Sequence, residues 1–130
     1  MSTPVHRVAV AVVHREGRWL VARRRASVHL GGMWEFPGGK CDGAEHASET
    51  ALRELREECG VVGVAERVLE MVVCAYEDRV VQITPVICRW LAGEAEPLGS
   101  EECRWVTLEE LQLLAMPAKN AEIIRRVCDE

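Results

Sequence analysis

The thirteen residues Ala47–Cys59 constrain this chain more than any other stretch, because they demand a helix with two incompatible faces. Ser48, Ala51, Leu52, Leu55 and Cys59 recur at helical spacing within an arc of roughly 100° and form a stripe that must be buried. Gly60 follows as a stop. On another side, Glu54, Glu57 and Glu58 fall at i, i+3 and i+4. Three carboxylates on one side of a helix repel one another unless a cation sits among them. Arg53 borders Glu57 at i+4 and relieves part of that charge. A divalent cation relieves it better, and hard oxygen ligands suit Mg²⁺ or Mn²⁺. A solvated acidic helix face is the plain alternative for such a triplet.

The residues around this helix predict an α/β (α+β) chain with a mixed sheet packed between helices. Val5–His14 is rich in β-branched residues, and Trp19–Ala22 resumes the pattern after Glu16-Gly17, which predicts a hairpin. Residues 26–43 have loop composition with Gly31, Gly32, Gly38, Gly39, Gly43 and Pro37, interrupted by apolar Met33–Phe36. Glu66–Tyr76 and Val80–Leu91 read as two strands about a turn at Glu77-Asp78-Arg79. Pro85 inside the second of these predicts an edge position or a bulge. Trp105-Val106 is a short strand candidate, and Thr107 with Glu110 forms a capping box that opens a helix to about Leu114. A last helix is expected over Lys119–Cys128 after Pro117.

At 130 residues the chain reads as a single domain spanning 1–130. The longest apolar run, Val8–Val13, is far too short to span a membrane, and no secretory signal is evident. A cytoplasmic protein is expected. A net charge of −5 argues against a duplex-binding protein, whose affinity comes mainly from neutralised phosphates. A local basic cluster such as Arg23-Arg24-Arg25 can still hold a small phosphorylated ligand. The cysteines at 41, 59, 74, 88, 103 and 128 contain no C-x-x-C, so they are expected as free thiols rather than a zinc site or a disulfide framework.

The order of residues around the helix narrows the reading. Gly39, Glu45, Arg53-Glu54-Leu55, Glu57-Glu58 and Gly60-Val61 match all nine specified positions of Gly-x5-Glu-x7-Arg-Glu-U-x-Glu-Glu-x-Gly-U, where U is aliphatic. This resembles the signature of the Nudix hydrolases over residues 39–61. The resemblance implies the Nudix fold, with a loop-helix-loop motif that binds metal and pyrophosphate. It implies a metal shell drawn from the Gly38 carbonyl, Glu45, Glu54, Glu57 and Glu58. Arg53 would orient a glutamate, and Glu54 would activate water, with Glu101 or Glu102 as rivals for that role.

Arg24-Arg25, His29, Trp34–Lys40, Asp78-Arg79 and Pro117–Asn120 extend the resemblance to the MutT-type branch. That branch hydrolyses oxidised nucleotides, chiefly 8-oxo-dGTP, to the monophosphate and pyrophosphate. By that resemblance Arg24 meets phosphate, Glu35 sits by base and sugar, and Arg79 and Asn120 read the purine. His29 and Lys40 are further substrate candidates. Asn120 also suits a helix N-cap, Arg79 a solvated turn, and Trp34 core packing rather than a stacking wall. Cys41-Asp42 and Ala44 depart from the family's usual residues without touching the nine positions. A CTP or 5-methyl-dCTP hydrolase is the alternative enzyme. A nucleotide sensor without hydrolysis is disfavoured because Glu54, Glu57 and Glu58 are all present. The expected partner is a nucleotide, with no duplex nucleic acid and no membrane, for a monomer or homodimer.

Overall fold

The computed structural model describes residues 3–129. Eleven elements follow in order: β1 (Val5–Arg15), β2 (Arg18–Arg23), β3 (Trp34–Glu35), β4 (Gly38–Lys40), α1 (Ala47–Cys59), β5 (Val62–Val68), β6 (Val72–Ala75), β7 (Val80–Ala92), β8 (Glu102–Thr107), α2 (Leu108–Leu113) and α3 (Ala118–Cys128). One mixed sheet carries the strands in the order β3-β2-β1-β7-β5, with β4 also pairing β1, β6 pairing β7 and β8 pairing β2. The central β1–β7 pair is parallel, from Val5 against Val80 to His14 against Arg89. The other pairings are antiparallel.

The period-2 alternation of the two central strands explains the layers. Ala9, Ala11 and Val13 of β1, Leu20 of β2, and Val86 and Cys88 of β7 face one side, where Ala51, Leu55 and Cys59 of α1 cover them. Val12, Val21, Ile83 and Ile87 face the other side, against Leu111 of α2 and Ile123 and Val127 of α3. The sheet thus lies between α1 and the two C-terminal helices, as the sequence predicts.

Local chemistry fixes the element ends. The β1–β2 turn needs positive φ at both Glu16 (50°) and Gly17 (77°), the geometry of a two-residue hairpin loop. Gly60 ends α1 in the left-handed conformation (φ 69°), its N–H donating to the Arg56 carbonyl at 2.9 Å. Thr107 caps α2 through the expected box: its hydroxyl accepts from Glu110 N–H, and the Glu110 carboxylate accepts from Thr107 N–H.

The structure corrects three expectations. Glu66–Tyr76 is not one strand: β5 starts earlier, at Val62, and the chain breaks pairing between Val68 and Val72. Pro85 is not at an edge, because β7 is central, with β1 on one side and β5 and β6 on the other. Its missing N–H is tolerated because Pro85 lies at that break, between the Val68–Val86 and Val72–Ile83 pairs. There its carbonyl accepts from Leu69 N–H at 2.9 Å. Asn120 does not cap α3, because Pro117 holds that position and Asn120 is buried inside the first turn at 4% exposure.

Trp34 is core, as favoured from the sequence: it is buried in the α2/α3 layer, with the Arg104 guanidinium 4.8 Å from its ring centroid. Among the described residues no helix is long and apolar enough to cross a membrane.

Leu55 is wholly buried where α1 meets the sheet. Leu55→Ala is expected to lower unfolding free energy by about 2–5 kcal/mol in urea titration, through lost burial and a cavity. A cost under about 1 kcal/mol would contradict this account of the α1 layer.

Candidate active site

Arg53 is the hub of the acidic helix. Its Nε donates to Glu45 Oε2 at 3.0 Å and its Nη2 to Glu45 Oε1 at 3.1 Å, a two-pronged grip on one carboxylate. Nη1 donates to Glu54 Oε1 at 2.9 Å and to Glu57 Oε2 at 3.3 Å. Nη2 also reaches the Lys40 carbonyl at 3.1 Å, tying the helix to β4. One guanidinium thereby fixes Glu45, Glu54 and Glu57 relative to the β4 backbone.

Glu45 is held from every side. Thr50 Oγ1 donates to its Oε1 at 2.7 Å and Asp42 N–H at 3.0 Å. The Arg53 guanidinium, then Thr50 and the Asp42 N–H, hold its carboxyl well below the ordinary range, at about 2. The resemblance implies Glu45 as a metal ligand; the structure instead turns both its oxygens to Arg53. Thr50, a wholly buried polar residue of α1, was missed from sequence. Its signal there is weak: a hydroxyl beside the apolar stripe, five residues after Glu45.

β4 passes directly over the carboxylates. A Cβ on Gly39 would lie 2.7 Å from the Glu54 carboxyl carbon and from its Oε1, so only glycine lets this carboxylate rest against the strand. A Cβ on Gly38 would lie 2.4 Å from the Ala9 carbonyl, so Gly38 is required by the approach of β4 to β1. Gly38 N–H faces Glu58 Oε2 at 3.4 Å. Burial pushes Glu58 up to about 8, with the neighbouring Glu54 carboxylate adding to the rise. Glu54 and Glu58 therefore form a crowded, half-buried pair of acids without enough positive charge around it.

Two clefts meet at this point. One, of about 150 Å³, is lined by Val8, Val10, Phe36, Ile83, Lys119 and Asn120 together with Glu35, Gly38 and Gly39. The other, of about 300 Å³, is lined by Arg24, Arg25, Glu58, Gly99 and Ser100 among others, again with Glu35 and Gly38. Glu35 and Gly38 are common to both, so the clefts adjoin and together run from Asn120 past Glu58 to Arg24. Arg24 is poised in the second, Nη1 donating to Glu35 Oε1 at 3.0 Å and Nε to the His29 carbonyl at 2.9 Å.

Other candidates fall outside the groove. His29 is exposed and contributes its carbonyl to Arg24. Lys40 is exposed on β4 and lines neither cleft. Arg79 pairs with Asp78 at 3.0 Å and lies over Tyr76 in the β6–β7 turn. Glu101 and Glu102 are engaged by Arg23, at 3.4 and 3.5 Å, and Glu102 also by Arg104 at 2.9 Å. Neither acid lines the groove, although Ser100 beside them does.

Among the described residues no three His, Cys, Asp or Glu side chains already converge on one point as a closed metal cage. The donors nevertheless fit a hard divalent cation that keeps several waters: paired oxygens of Glu54 and Glu58, Glu57 one turn away, and a glycine backbone with no side chain in between.

Comparison with known proteins agrees with this geometry. Residues 8–126 match the family model described as NUDIX domain. The chain is 32% identical over 101 residues to an "8-oxo-dGTP diphosphatase" of Proteus vulgaris, covering 77% of this chain and 88% of that protein. It is 43% identical over 54 residues to a "CTP pyrophosphohydrolase" of Escherichia coli, covering 42% of this chain and 40% of the relative. In fold it superposes on a crystal structure of a MutT protein from Methanosarcina mazei with a TM-score of 0.83 at 24% identity, covering 97% and 94% of the two chains.

Because the folded Glu45 titrates near 2 against an ordinary 4.5, its ionised partners stabilise the fold fully above about pH 4.5. That contribution is lost as pH falls from there through 2. Thermal melts should show a wild-type advantage over Glu45→Gln that is constant at neutral pH and vanishes toward pH 2. An advantage undiminished at pH 2 would mean that the charge of Glu45 is not what Arg53 holds.

Proposed function

The chain belongs to the NUDIX domain family and is a Nudix hydrolase, and on that premise we propose a nucleoside triphosphate pyrophosphohydrolase that prefers 8-oxo-dGTP, releasing the monophosphate and pyrophosphate. The observation that carries this reading is the pair of adjoining clefts that share Glu35 and Gly38 and run from Asn120 past Glu58 to Arg24. It offers an amide, apolar walls and Lys119 at one end and Arg24 and Arg25 at the other, room for a base at the first and for phosphates at the second.

Glu54, Glu57, Glu58 and the Gly38 carbonyl would hold Mg²⁺, with Mn²⁺ able to substitute. When bound, the cation supplies charge stabilisation to the phosphate oxygens and the leaving group. Glu54, fixed at one oxygen by Arg53 and pressed against Gly39, takes the proton from the attacking water. Glu101 and Glu102, paired with Arg23 and Arg104, are the rivals for that role. Glu45 acts as a positioning residue through Arg53. Arg24 exchanges its contact with Glu35 for a phosphate oxygen. Asn120, whose amide carries a donor and an acceptor side by side, reads the base edge. Residues 1–130 act as one domain on a free cytoplasmic nucleotide, as a monomer or homodimer.

A CTP preference is the second reading, favoured by the 43% identity to the CTP pyrophosphohydrolase over the shared 54 residues. A kcat/KM panel with Mg²⁺ over 8-oxo-dGTP, dGTP, CTP, dCTP and 5-methyl-dCTP separates the two. The proposal expects 8-oxo-dGTP to lead, EDTA to abolish turnover, and Asn120→Ala to narrow the 8-oxo-dGTP to dGTP ratio by about tenfold or more. A cytidine preference would overturn the base assignment, and an unchanged ratio would remove Asn120 from base reading.

Gly39→Ala is expected to cost roughly 100-fold in kcat, because the new methyl comes within 2.7 Å of the Glu54 carboxyl and pushes it aside. Wild-type turnover in that variant would show that Glu54 works from another position.

A further inference from the structure

We propose that Cys59 and Cys103 are a peroxide-responsive thiol pair, closing into a reversible disulfide that staples the end of α1 to β8. Their sulfurs lie 3.7 Å apart although the residues are 44 apart in sequence. A disulfide bond is about 2.05 Å long, so closure needs an approach of under about 2 Å. The end of α1 is already tied to the segment that leads into β8: Glu96 N–H donates to the Cys59 carbonyl at 2.9 Å, and Leu98 N–H to the Glu58 carbonyl at 3.0 Å.

The two sulfurs are not equivalent. Cys59 is wholly buried against Ala51 and Leu55, whereas Cys103 is half-buried near the start of β8, 3.4 Å from the Glu96 carbonyl and 3.9 Å from Ser100 Oγ. A small hydroperoxide reaches Cys103; a protein disulfide cannot reach Cys59. Contact with the Cys59 sulfur draws the Cys103 thiol down from its ordinary range, which favours its thiolate over that of Cys59.

The chemistry balances in two steps. The Cys103 thiolate attacks the hydroperoxide, forming an S–O bond and breaking O–O; hydroxide or alkoxide leaves and takes a proton. Cys59 sulfur then attacks the sulfenic sulfur, forming S–S and breaking S–O; the departing hydroxide takes the Cys59 proton and leaves as water. The peroxide accepts the two electrons that the thiol pair gives up.

Cys59 faces the core from α1 while its neighbour Glu58 lines the cleft, so the side chains of the staple lie on the far side of the helix from the groove. It closes a long loop, which constrains the unfolded chain and raises stability.

The test exposes the reduced full chain to one equivalent of hydrogen peroxide, blocks free thiols, and maps peptides by mass spectrometry beside a thermal melt and an activity assay. The expected result is a loss of about 2 Da, a linked Cys59–Cys103 peptide pair reversed by dithiothreitol, and a rise in Tm on the order of 5–10 °C. Cys103→Ala should abolish the link, and in Cys59→Ala a dimedone adduct should accumulate at Cys103. Turnover should stay within about twofold, and this arm alone rests on the proposed function. Sulfinic acid at Cys103 without a link, a different cysteine pair, or a Tm that does not rise would overturn the proposal.

Discussion

The Arg53 guanidinium grips Glu45, Glu54 and Glu57 at once and reaches the Lys40 carbonyl, and the geometry of the groove depends on it. Helix geometry alone would leave Glu54, Glu57 and Glu58 crowded and mobile. A planar fork of donors can bind several carboxylates in fixed directions, which an ammonium cannot do. Glu45 and Thr50 in turn fix Arg53, so the order passes from the loop into the helix and from the helix to β4. Glu58, outside this grip, is the acid that burial and Glu54 hold partly protonated.

The fold brings the other half of the groove to this hub through its central parallel pair. β1 carries Ala9, Ala11 and Val13 to α1 and Val8, Val10 and Val12 to the opposite layer. β4 lies against β1 at Val8–Val10, where two glycines allow close contact on both sides. Asn120 reaches the same place because Pro117 starts α3 three residues earlier and turns the first helical turn inward. Residues from β1, β4, α1 and α3 thus meet although they are spread over most of the chain.

The helix, its stop at Gly60, the β1–β2 turn and the Thr107 cap were all legible in the sequence, because each rests on local chemistry: periodicity, positive φ and a reciprocal hydrogen bond. So was the layer order, since alternation and helical stripes both survive folding. Of the two readings of Pro85 the edge position fails and the irregularity holds, because a strand's place in a sheet is set by pairing across the chain and a break in its neighbour excuses a missing N–H. Glu101 and Glu102 are paired with Arg23 and Arg104, and the pairing with Arg23 joins distant positions that no spacing rule connects. The Cys59–Cys103 contact was equally hidden, joining two positions with no local pattern between them.

The central claim is that one groove holds a metal-bound nucleotide from Asn120 to Arg24. Amide NMR of the full chain with Mn²⁺, followed by a non-hydrolysable nucleoside triphosphate with Mg²⁺, tests it directly. The account predicts that Mn²⁺ broadens the amides of Gly38, Gly39 and the second half of α1, and that the nucleotide then shifts Asn120 and Arg24. Broadening centred on Glu101 and Glu102, or nucleotide shifts that leave Asn120 and Gly38 unmoved, would contradict it.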